Sequence, residues 1–199
     1  MGLALRLITV QFFPVEPISD FAWYVSRAEE IASGMGYQEK GFPTAYWPVG
    51  WPAVLAAGIL IFGSSSIAII LWNLAGTLVT LAIILKLSRA VTKDEFASRV
   101  ALFIYAIYPN HIVYMGLAAT EIYYTSTLML GMYCATVLRH RAAAVFLSGL
   151  SFGLATLIKP QTIAFPLGLF IANAIIYRHV SISSHIKYIC IALFALGLV

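Results

Sequence analysis

Two carboxylates stand where a mostly apolar chain turns polar. Asp20 belongs to the stretch SDFAWYVSRAEEIASGMGYQEKGFPTAYWPVGWP, which ends at Pro52, and Glu121 follows Thr120 at the start of a later uncharged run. An acid at the edge of a hydrocarbon layer is costly and faces protein or water, so Glu121 is either paired or a working group. Asp20 has two readings: a helix-start partner of the backbone dipole, or a functional acid where water and lipid headgroups meet. Tyr24 and Arg27 lie within two turns of it, and Asp20 and Tyr24, at i and i+4, share a helix face.

The cations and rings have similar double readings. Lys159, before Pro160, can hold a phosphate as a point charge or snorkel its stem along apolar surface. His111, in Tyr108-Pro109-Asn110-His111, can touch a ligand or simply pack. Arg6 can pair with a loop acid or a lipid phosphate, or snorkel. Tyr46, Trp47 and Trp51 suit either an interfacial anchor or a rigid aromatic rim for a lipid-linked or carbohydrate ligand. Three prolines in Pro43–Pro52 speak against a regular helix there.

The elements that position these groups follow from composition. Of 199 residues, 61% are hydrophobic and only 10% charged. That much apolar surface exceeds what a soluble domain of this size buries. Long uncharged runs favour helices over the alternation of a barrel. The expected fold is therefore all-α, a polytopic helical membrane protein. A first span covers 1–13 and an extracytoplasmic loop with amphipathic surface helices covers 14–66. Further spans lie near 67–87, 100–118, 121–138, 142–158 and 161–177, and a last one is incomplete. Ala53 to Phe62 is too short to cross and reads as a half-embedded helix. The chain reads as the N-terminal portion of a larger protein.

Basic residues set the orientation. Lys86, Arg89, Lys93 and Arg99 share one connection, Arg139 and Arg141 the next, and Arg178 and Lys187 a third. These belong on the cytoplasmic side, which turns the Asp20 loop and the Lys159-Pro160 turn outward. Within the loop, Ser19 is a candidate cap and Gly34 and Gly36 candidate terminators of a helix. Cys134 and Cys190, both inside apolar runs, read as small buried hydrophobes. No zinc spacing, phosphate-cradling glycine loop or Ser/His/Asp arrangement is legible. The net charge of +4 sits between spans and presents no basic face for nucleic acid.

The segments Asp20 to Tyr24, Ala28 to Tyr37 and Pro43 to Pro52 resemble the first external loop of bacterial GT-C glycosyltransferases. These are the polyprenyl-phosphate-sugar-dependent enzymes related to protein O-mannosyltransferases and aminoarabinose transferases. Phe62-Gly63-Ser64, Ala106 to His111, Thr120-Glu121 and Gly153 to Pro160 continue the resemblance in order, over nearly the whole chain. It implies sugar transfer from a polyprenyl-phosphate carrier to a protein, lipid or glycan acceptor, with inversion, outside a bacterial inner membrane. It also implies Asp20 as catalytic base, Glu121 shaping the sugar or acceptor pocket, and Tyr24, Tyr46, Trp47 and Trp51 lining the donor groove. Lys159, with Arg27 or Arg6 behind it, would meet the departing phosphate. No cofactor is fixed by the resemblance; a divalent cation is compatible, held by Asp20 with Glu39 or Glu121. The competing readings are a flippase for a lipid-linked sugar and a non-catalytic membrane scaffold.

Overall fold

The computed structural model describes residues 2–176 and 197. The expectations for Arg178, Lys187, Cys190 and the incomplete last span lie outside these residues. The regular structure of the described residues is helical apart from one small hairpin, and the chain forms two compact units, Met1–Ser126 and Thr127–Val199.

In the first unit, α1 (Gly2–Phe12) leads through an extended stretch to α2 (Asp20–Ala32). Helix α2 ends in a Schellman motif: Gly34 N–H bonds the Ile31 carbonyl at 3.0 Å and Met35 N–H bonds Glu30 at 3.0 Å. Gly34 has φ 82°, the left-handed conformation that this C-cap demands. The helix terminator anticipated there is the one used. Next comes a two-residue hairpin, β1 (Gln38–Glu39) against β2 (Phe42–Pro43), antiparallel with Glu39 opposite Phe42. Its loop, Lys40-Gly41, has φ 53° and 83°. Positive φ at both central residues marks a type I′ turn, whose twist matches the strands it joins. Lys-Gly lacks the usual Asn-Gly signature, and the sequence reading passed over it.

Helix α3 (Gly50–Phe62) starts inside the proline-rich box. The expectation of no regular helix across Pro43–Pro52 therefore fails at its end. Pro52 falls in the first turn, where an N–H has no helical partner to lose, and Ala53 N–H already bonds Val49 at 2.9 Å. With 13 residues α3 spans about 20 Å, short of the roughly 30 Å of a hydrocarbon core. Gly63, at φ 72°, closes it, and Ser64 opens α4 (Ser65–Thr92).

Helix α4 has 28 residues, about 42 Å. Among the described residues it is the one helix long and apolar enough to cross a bilayer. At its end Lys93 turns left-handed and Asp94 caps α5 (Glu95–Ala106), accepting from Phe96 N–H at 2.9 Å. Arg89 grips Glu95 through two bonds of 2.6 Å, and Arg99 adds a third at 3.1 Å. The expected span over 100–118 is not a single helix. Tyr108, before Pro109, is forced to extended backbone, as residues preceding proline are. A short α6 (Pro109–Val113) and a 3-10 turn (Tyr114–Gly116) follow, then non-helical backbone to Thr120.

Helix α7 (Glu121–Thr136) begins in the first unit. In the second unit its later part packs near α8 (Ala142–Ile158): a Cβ on Gly131 would stand 3.0 Å from the Phe152 ring. Helix α8 matches the expected 142–158, and Cys134 is buried as anticipated. Pro160 ends α8, a 3-10 turn covers Pro160–Ile163, and α9 (Ala164–Ile176) follows, so 161–177 begins with a turn.

Candidate functional site

Asp20 is the first residue of α2 and is exposed. Ser19, anticipated as a cap, stands at the N-cap position but makes no side-chain bond to the helix N–H groups. Its φ of 52° turns the hydroxyl aside, where Oγ donates to Asp20 Oδ1 at 3.3 Å. Glu121 is the first residue of α7, half-buried, and accepts from Thr120 Oγ1 at 3.3 Å. Both acids thus occupy the dipole-favoured end of a helix. Tyr24, one turn into α2, connects them electrostatically. Burial raises its phenol pKa first, and the negative charges of Asp20 and Glu121 raise it further. One phenol therefore feels both carboxylates. Phe21 reinforces this by meeting Tyr114 edge-on at 6.4 Å, tying α2 to the segment that leads into Glu121.

The aromatic rim is split. Tyr46 is 74% exposed and meets the half-buried Trp47 edge-on at 5.3 Å. Tyr37 holds this pair in place, its hydroxyl donating to the Trp47 carbonyl at 2.7 Å. Burial, then the neighbouring Tyr24, pushes the Tyr37 phenol up to about 12 against the opposing pull of Arg27. Trp51 is not part of any rim. It is 0% exposed, its Nε1 donates to the Ala118 carbonyl at 2.8 Å, and its ring lies 5.5 Å from Tyr123. The interfacial and groove-lining readings of Trp51 give way to a core role, because a helix that starts at Gly50 aims it inward.

Three expected ligand contacts have structural tasks. The Arg27 guanidinium is buried, pairs with Glu30 at 2.9 Å, bonds the Gln38 carbonyl and lies over the Trp23 ring at 5.6 Å. It fastens the hairpin to α2. His111 is also buried, with Nδ1 3.0 Å from the Tyr105 hydroxyl and its ring edge-on to Tyr105 and Tyr108. Arg6, 0% exposed, reaches neither acid nor solvent. It donates to the carbonyls of Gly2, Ala106 and Tyr105 at 3.0, 2.7 and 3.2 Å. It caps the C-terminus of α5, where a cation complements the dipole. Lys159 belongs to the second unit, half-buried where α8 ends. Among the described residues no group of three or more His, Cys, Asp or Glu side chains gathers to hold a metal.

Asn73 was passed over in the sequence. It is fully buried on α4, and its Nδ2 donates to the carbonyls of Tyr114, Met115 and Leu117 at 3.0–3.1 Å. Its signal was present: Asn73, Gly76, Thr77 and Thr80 form a buried polar and small stripe at helical spacing within the apolar run.

No curated protein and no solved structure matches the chain. A family model described as dolichyl-phosphate-mannose-protein mannosyltransferase matches residues 47–199. The match takes in Trp47, Trp51, His111, Glu121 and Lys159, and begins after Asp20, Tyr24, Arg27 and Tyr46. It covers well over half of the sequence. The chain belongs to the dolichyl-phosphate-mannose-protein mannosyltransferase family, glycosyltransferases of the GT-C type that draw on polyprenyl-phosphate-linked sugars.

Proposed function

We propose that the protein transfers a sugar from a polyprenyl-phosphate carrier to an acceptor hydroxyl or amine at the outer face of a bacterial inner membrane, with Asp20 as general base. Family membership supports the reaction class. The observation that supports the residue assignment is geometric: Asp20 and Glu121 each begin a helix, and Phe21, next to Asp20, meets Tyr114, on the segment leading to Glu121, at 6.4 Å. Two acids at helix starts within one compact unit suit a site where one takes a proton and the other holds substrate hydroxyls.

The step balances without an added reagent. The acceptor oxygen or nitrogen forms a bond to the anomeric carbon while the bond from that carbon to the phosphate oxygen breaks. The phosphate leaves with the electron pair, and the acceptor's proton passes to the Asp20 carboxylate. Attack opposite the leaving group inverts the anomeric centre. Glu121 orients the sugar or acceptor, and the Tyr46–Trp47 pair offers ring faces for stacking. Lys159 is the proposed counter-charge for the phosphate, and Lys159→Ala tests it independently. The other proposed ligand contacts, Arg27, Trp51 and His111, support the site from within the fold.

The test incubates membranes containing the full-length protein with a radiolabelled polyprenyl-phosphate sugar and follows label into acceptor. The expected result is covalent transfer with an anomeric configuration opposite to that of the donor. A lipid-linked sugar that changes leaflet while its label stays on the carrier would instead identify a flippase.

A further inference from the structure

We propose that Asn73 and Trp51 are positioning residues that fix the Glu121 carboxylate by clamping the irregular backbone just before it. This rests on the proposed sugar-transfer site and adds two residues to it. From Tyr114 to Thr120 the chain leaves the α-helical pattern. Yet Met115, Leu117, Ala118, Ala119 and Thr120 are each at most 7% exposed. Buried backbone outside a regular helix must find partners for its carbonyls, most of all in a protein surrounded by lipid. Two side chains supply them. Asn73 Nδ2, from α4, serves the carbonyls of Tyr114, Met115 and Leu117, and Trp51 Nε1, from α3, serves Ala118 at 2.8 Å.

The clamp acts next to the site. Glu121 lies three residues beyond Ala118, and Thr120, whose hydroxyl donates to Glu121, is itself buried. The residue following Glu121, Ile122, is 0% exposed. The carboxylate therefore emerges half-buried from a backbone held on one side by donors and on the other by the core. The contact is one of donation: Asn73 Oδ1 is buried with no hydrogen-bond partner, while its amide nitrogen faces three acceptors. An aspartate at this position keeps the shape and replaces the donor with an acceptor facing carbonyls. At Trp51, a phenylalanine keeps most of the ring and loses the N–H.

The experiment measures sugar transfer by the full-length protein in membranes at matched protein levels. Asn73→Asp and Trp51→Phe are each assayed alone and combined with Glu121→Gln. A positioning role predicts that Asn73→Asp lowers transfer by at least about 10-fold, within the range that small misplacements of reacting groups cost. It also predicts a smaller loss for Trp51→Phe and, in each double variant, no further loss beyond Glu121→Gln alone. A merely structural role multiplies the two losses, and that result overturns the proposal. If Asn73→Asp fails to accumulate, the Trp51→Phe pair makes the same comparison. Transfer unchanged by Glu121→Gln overturns this proposal and leaves the sugar-transfer reading standing. A wild-type protein that transfers no sugar overturns both.

Discussion

Replacing Gly58 with alanine sets two physical effects against each other. In an exposed helix the change adds stability, since glycine costs about 1 kcal/mol relative to alanine. Gly58, however, lies where α3 packs onto α4. A Cβ built there stands 2.4 Å from Trp72 Nε1 and 2.7 Å from the Ala68 Cβ. Ordinary carbon contacts sit near 3.5–4.0 Å, so the helices must part by about 1 Å or the indole must move. The Ala68 Cβ is fixed to the α4 backbone and cannot swing away. The indole is wedged too, edge-on to Phe62 at 6.5 Å and to Tyr123 at 6.2 Å. Overpacking of this kind costs about 1–3 kcal/mol, and the upper part of that range applies when the obstacle is a backbone-anchored atom. After subtracting the helical gain, Gly58→Ala destabilises by about 1–2 kcal/mol, a fall of about 2–8 °C in melting temperature at this chain length. The assay is thermal unfolding in detergent, followed by tryptophan fluorescence. Gly168→Ala is the control, because nothing lies within 4 Å of its added Cβ in α9, and it should hold or raise the melting temperature. A Gly58→Ala protein as stable as wild type would refute the close α3–α4 approach.

Other outcomes follow from the charge and hydrogen-bond pattern. The Glu95 carboxyl is drawn down to about 2 by its bonds to Arg89 and then Arg99. A lowered folded-state value means a contribution present above the ordinary carboxylate range and lost as pH falls toward 2. Wild type should therefore lose more stability on acidification than Glu95→Gln, as read by unfolding temperature across pH. Tyr37 runs the other way: with its phenol raised to about 12, its contribution is complete below about 10 and fades as pH rises through 12. Tyr37→Phe should remove that alkaline loss in the same measurement, and cost about 0.5–1.5 kcal/mol at neutral pH for the bond to the Trp47 carbonyl. Arg6→Met keeps much of the bulk and removes the donors to Tyr105 and Ala106. It should destabilise by about 2–4 kcal/mol, detectable as faster proteolysis near the α5 end.

The sequence disclosed the parts governed by local rules. Helix α8 was marked by an apolar run bounded by Arg141 and Pro160, and the α2 terminus by Gly34, since few other residues accept its φ of 82°. Asp20 and Glu121 stood out because charges are scarce in this chain. What could not be read depended on contacts distant in sequence. Arg6 is 99 and 100 residues from the carbonyls it caps, and Trp51 is 67 from Ala118. A cation and an indole near an apolar boundary look the same whether they snorkel or cap a buried helix end. Asn73 was hidden for a related reason: one amide barely alters the hydropathy of a 28-residue helix, and its value lies in three carbonyls some forty positions away. The Lys40-Gly41 turn was missed because lysine adopts positive φ only when the hairpin around it compensates.

The central claim is that Asp20 takes the acceptor's proton during sugar transfer from a polyprenyl phosphate. The most direct measurement compares wild type and Asp20→Asn in full-length protein at matched membrane levels, with unfolding temperature recorded for both. Asn is nearly isosteric and Asp20 is exposed at a helix start, so the fold should tolerate the change. The account predicts at least about a 100-fold loss of transfer, the range for a missing general base, with the unfolding temperature held within a few degrees. Transfer at the wild-type rate by Asp20→Asn would contradict it.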